Sequence, residues 1–71
     1  MDKLIDEGKS VSLARQIKCV QREVGFRERV YPRRIARGSM KQAQADEETA
    51  VMRAVLATLE ELERRRASAK A

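Results

Sequence analysis

Residues 49–59, TAVMRAVLATL, carry a single charge, Arg53, in eleven positions. The stretch is rich in helix-forming residues and has apolar side chains around most of a helical wheel. A lone helical hairpin needs only one such face. The segment is therefore expected to touch its own partner helix and a further surface, which points to assembly with a second copy of the chain. The fold class it implies is all-α: an antiparallel helical hairpin assembling as a dimeric helical bundle.

Outward from this stretch, Val51, Val55, Leu59 and Leu62 form a broad apolar face, with Ala45, Met52 and Leu56 at its margin. That face is expected to meet the first helix, so an aspartate at Val55 or Leu56 should unfold the protein. Ala43, Ala50, Ala54 and Ala57 form a second stripe of small side chains. Either they let another helix approach closely, or they reflect the helix propensity of alanine. The helix should run to about Arg65, with Asp46, Glu47 and Glu48 in its early turns and Arg64, Arg65 and Arg66 at its end, as the helix dipole favours. Ser39 with Gln42 offers a capping box at its start. Gly38 suits the left-handed position that ends the preceding helix.

Before Gly38, Leu13, Ile17, Val20, Val24, Tyr31 and Ile35 recur as one amphipathic stripe, with Arg15, Lys18, Arg22, Arg29 and Arg33 on the opposite side. Ser10 or Ser12 can cap this first helix. Pro32 is expected to kink or interrupt it, because proline lacks a backbone donor and clashes with the preceding turn. Cys19, Phe26 and Val30 make a smaller apolar patch beside the stripe. With the alanine stripe they are the candidate oligomer interface. The domain reading is a lead-in at residues 1–9, one helical-hairpin domain at 10–66 and a disordered tail at 67–71.

The chain has 71 residues, enough for one small domain that gains from oligomerisation. The sole cysteine excludes an internal disulfide, and with no histidine there is no zinc-ligand spacing and no common general base near neutral pH. Cys19, inside a helix, reads as a buried, inert thiol. No enzyme, metal or cofactor is expected. No segment has the apolar length of a membrane span and the N-terminus has no signal-peptide core, so a soluble cytoplasmic protein is the expectation. The Arg65-Arg66-Ala67-Ser68 kinase-type match is of a kind common by chance.

The net charge is +5 and unevenly spread. Residues 9–41 hold ten basic side chains against Glu23 and Glu28, whereas residues 42–63 hold six acids against Arg53. Arg27, Arg29, Arg33, Arg34 and Arg37 crowd around Tyr31 and Pro32 as the candidate site. Arginine forks fit phosphate oxygens or carboxylates. They could contact nucleic-acid backbone, or form a solvated face partly paired with the acids of the second helix. A homodimer and a protein partner are the leading expectations, nucleic acid the alternative, and a membrane is not expected.

Residues 28–59 hold Tyr31, Pro32, Ile35, Gly38, Met40, Ala45, Glu48, Met52, Leu56 and Leu59 at spacings that resemble small phage- and prophage-encoded bacterial helical proteins of unknown function. The likeness spans roughly residues 13–60 and departs from that pattern at Ser39 and Thr49. It implies a prophage-type structural or adaptor protein acting through oligomerisation and protein binding, and it brings no catalytic residues.

Overall fold

The Ser12 hydroxyl accepts a hydrogen bond from the Arg15 backbone N–H at 3.1 Å and so opens the first helix. This pairs one of the amide donors that a helix start leaves without an internal acceptor. In the computed structural model, which describes residues 11–70, α1 runs Leu13–Ala36 and α2 runs Gln42–Lys70. Residues 1–10, the expected lead-in and the alternative cap Ser10 among them, lie outside the described residues, as does Ala71. The two helices pack as an antiparallel hairpin.

Pro32 does not interrupt α1. The helix continues for four residues beyond it, to Ala36. Proline removes the N–H that would bond the Glu28 carbonyl, but the stripe residues on both sides of it, Tyr31 and Ile35, are half-buried against α2. Packing on both sides of the proline holds the last turn in the helix.

The turn is a Schellman motif. Gly38 has φ +79°, its N–H bonds the Ile35 carbonyl at 3.0 Å, and the Ser39 N–H bonds the Arg34 carbonyl at 2.9 Å. The expected capping box is absent. The Ser39 hydroxyl donates back to the Arg34 carbonyl at 3.2 Å, and the Gln42 side-chain amide donates to Asp46 at 2.9 Å. Ser39 thus finishes α1, and the first backbone bond of α2 is accepted by the Lys41 carbonyl. At its far end α2 passes the expected stop at Arg65 and includes Ala67, Ser68 and Ala69. No glycine or proline stands there to end it, and alanine is the best helix former.

The seam between the helices differs from the expected one on the α2 side. From α1 it takes Leu13, Ile17, Val20, Val24, Tyr31 and Ile35, all buried or half-buried. From α2 it takes Ala45, Thr49, Met52, Leu56 and Leu59. Val51, Val55 and Leu62, expected at the centre of the α2 face, are instead 41–52 % exposed. The short connection is the reason. Helices joined by five residues must touch from the turn onward, and the Val51–Val55 row, continued toward the turn, reaches Glu48 and Gln44. The row through Thr49 reaches Ala45, which is small and apolar. Alternating steps of four and three keep that row over the α1 stripe.

Among the described residues only Leu13, Val24 and Ala45 are buried apolar side chains. Two helices side by side can shield little more, since each has neighbours on one side only.

Candidate functional site

The five arginines singled out from the sequence divide into two groups. Arg27 occupies the seam. It fills the gap that the stripe leaves between Val24 and Tyr31, and its side chain is only 25 % exposed. One Nη donates to the Glu23 carboxylate at 2.7 Å and to the Glu23 backbone carbonyl at 3.2 Å. The hydrogen bond to Glu23 is the main cause that raises the Arg27 pKa still further above its ordinary value. Its Nε is buried with no hydrogen-bond partner. Arg27 therefore belongs to the helix packing, where its stem covers apolar surface. Together with Tyr31, Ala45 and Thr49 it lines a small open cleft of about 180 Å³ next to the turn.

Arg29, Arg33, Arg34 and Arg37 are exposed, and they form no ion pair among the described residues. Arg15, Lys18 and Arg22 are exposed as well, as their place opposite the stripe requires. The outer side of α1 is thus a row of cations about 30 Å long, from Arg15 to Arg37 at ~1.5 Å per residue. The acids of α2 do not neutralise it within one hairpin. Among the described residues the single ion pair between the helices joins Glu28 of the basic half to Arg53 of the acidic half. Glu61 is engaged by Arg64 and by Arg65, the latter at 3.1 Å, all on α2.

The candidate oligomer interface also divides. Ala43, Ala50, Ala54 and Ala57 are exposed on the side of α2 that points away from α1, about 150° around from the seam. Cys19 and Phe26 are exposed and Val30 half-buried, on a flank of α1. The antiparallel geometry brings that flank beside Val55 and Leu59 rather than beside the alanines, and Cys19, Val20, Val55 and Leu59 line one open groove of about 670 Å³. Sequence reasoning missed that Val51, Val55 and Leu62 belong to the open surface. The polar residues Glu48 and Gln44, one and two turns from Val51 toward the loop, were the signal.

Cys19 is exposed, contrary to the buried thiol expected. Its position is two residues from Ile17 and one from Val20, which places it off the seam. The Arg22 guanidinium lies 4.0 Å from its sulfur. Among the described residues no three His, Cys, Asp or Glu side chains gather to hold a metal ion, and no helix is long and apolar enough to cross a membrane. No family model, curated protein or solved structure matches the chain.

Proposed function

We propose that this protein is a small structural or adaptor protein that works through self-assembly and protein binding. In this reading Arg29, Arg33, Arg34 and Arg37 are offered to an acidic partner surface. The observation that carries it is the mismatch between what the hairpin buries and what it leaves open. Leu13, Val24 and Ala45 are buried, while Phe26, Val51, Val55 and Leu62 are all at least 41 % exposed. Exposed apolar side chains that lie together mark interaction surfaces. Sedimentation equilibrium at micromolar concentration tests the claim, with a dimer expected and a stably folded monomer overturning it. The Tyr31-Pro32 and Gly38-x-Met40 pattern supports a prophage-type setting, which the genes beside this one would test.

A second reading is favoured by the unpaired state of the same arginines among the described residues. They can contact the phosphate backbone of nucleic acid without reading its sequence, as an accessory binding protein would. Such binding weakens steeply with salt. Titration with generic duplex and single-stranded DNA at low and moderate salt separates the two readings. No binding at low salt removes the nucleic-acid reading. Binding that disappears in Arg29→Glu with Arg37→Glu, at unchanged native mass, would establish it.

A further inference from the structure

The groove toward the end of the hairpin away from the turn has an apolar floor. Cys19 and Val20 of α1 and Val55 and Leu59 of α2 form it, and Arg15 and Arg22 border it. Both arginines are exposed, and among the described residues no carboxylate pairs with either. An apolar floor between two cations fits an occupant that is apolar at its centre and acidic at its edges.

Val11 lines the same groove, and the Gln16 side-chain amide donates to the Val11 carbonyl at 2.9 Å. Ser12, with ψ 154°, is extended. The chain entering α1 is therefore anchored at the edge of the groove. Residues 1–10, MDKLIDEGKS, join it at that point. In them Leu4 and Ile5 are adjacent, with Asp2 before and Asp6 and Glu7 after. An apolar pair between acids is the complement of an apolar floor between arginines. Lys3 and Lys9 offset two of those three acids, so the fit is one of pattern and not of net charge.

We propose that residues 1–10 fold back on their own hairpin and seat Leu4 and Ile5 on the Cys19–Val20–Val55–Leu59 floor, with Asp2, Asp6 and Glu7 toward Arg15 and Arg22. The reach is sufficient. Cys19 stands eight residues beyond Val11, about 12 Å along α1. Leu4 precedes Val11 by seven residues, which span up to about 23 Å. Gly8 supplies a place for the reversal, since glycine turns at little steric cost.

Tethering selects this occupant over a second copy. A segment held by so short a linker has an effective concentration on the order of millimolar, roughly a thousandfold above that of free chains at micromolar concentration. The inference goes beyond the self-assembly reading, which retains Phe26 and Val51, nearer the turn. Val55 borders both surfaces.

Cys19 is the only cysteine and lies on the floor, so its alkylation reads whether the groove is covered. Iodoacetamide, which is uncharged, is added to the full chain and the adduct is followed by mass. In Leu4→Ser with Ile5→Ser, Cys19 should react about ten-fold faster than in the unaltered protein. The unaltered rate should stay constant across a roughly hundredfold range of protein concentration, because the contact lies within one chain. Equal rates in the two proteins overturn the proposal. Protection that grows with concentration also overturns it, and assigns the groove to a second copy. The serine variant should keep the helical circular dichroism of the unaltered protein. If it does not, Asp6→Lys with Glu7→Lys carries the test. Cys19 in that variant should react about three-fold faster at low salt, and the difference should close at about 0.5 M salt. No difference at low salt overturns the proposal.

Discussion

Glu28 of α1 is hydrogen-bonded to Arg53 of α2, across the basic–acidic division of the chain and against its sign. The acid belongs to the basic half and the arginine to the acidic half. Among the described residues no ion pair joins an acid of the acidic half to a cation of the basic half. The pair ties one position on each helix, and the exposure of its side chains (45 % and 59 %) limits its energetic weight. Glu28→Ala or Arg53→Ala should cost about 0.2–1 kcal/mol in urea unfolding, less at high salt. Exchanging the two charges, Glu28→Arg with Arg53→Glu, should recover most of the loss.

Leu56 and Val55 are neighbours in sequence with opposite surroundings. Leu56 is half-buried on the seam, and Val55 is 41 % exposed. Leu56→Asp should remove most of the helical circular dichroism, because an unpaired charge would enter the packed side. Val55→Asp should keep the helical signal and lower the native mass instead. Periodicity alone predicts unfolding for both.

Gly38 and Gly25 should respond in opposite directions to alanine. At Gly38, φ is +79° and nothing lies within 4 Å of an added Cβ, so the cost is backbone strain alone, about 1 kcal/mol in thermal or urea unfolding. At Gly25, in the middle of α1, an added Cβ would meet only an Arg29 nitrogen at an ordinary 3.8 Å. Gly25→Ala should stabilise by about 0.5–1 kcal/mol.

Arg27 holds a seam position with one buried, unpartnered nitrogen. Arg27→Leu keeps the packing and removes that orphan, so its stability should equal or exceed that of the unaltered protein. Arg27→Ala removes the packing too and should destabilise by about 1 kcal/mol. Arg29→Ala, on the exposed side, should change stability by less than about 0.5 kcal/mol. Urea denaturation of the three variants checks the order.

Glu61 accepts hydrogen bonds from Arg64 and Arg65, which hold its carboxyl below the ordinary carboxylate range. A depressed acid stabilises the folded form above its unfolded-state pKa, near ~4.3, and the contribution fades as pH falls through the lower folded value. Amide exchange over residues 61–65 should therefore quicken as pH is lowered below ~4, relative to residues 45–56. In Glu61→Gln that difference should vanish.

Much of the fold was legible because it is local. A serine cap at Ser10 or Ser12, the Leu13–Ile35 stripe, Gly38 as the turn and the helical character of 49–59 each follow from conformational or solvation preferences within a turn or two of chain. The same local rules failed where a residue had two options. Ser39 could cap α2 or close α1, and the Schellman geometry took it for α1. Pro32 could end a helix, and packing of Tyr31 and Ile35 on either side kept the helix whole. Ala67–Ala69 could fray or extend, and α2 extends.

The amino-acid sequence by itself determined that the chain forms two helices, where they turn, and that its apolar surface exceeds what one hairpin can cover. Periodicity and backbone preference carry that information. Only the tertiary structure decided which side of α2 faces α1, because a helix that is apolar nearly all round has no preferred side until a short loop and a partner stripe impose one. That choice put Thr49 and Leu56 in the seam and left Val51, Val55 and Leu62 outside. It also drew Arg27 inward and left the other four arginines on the surface.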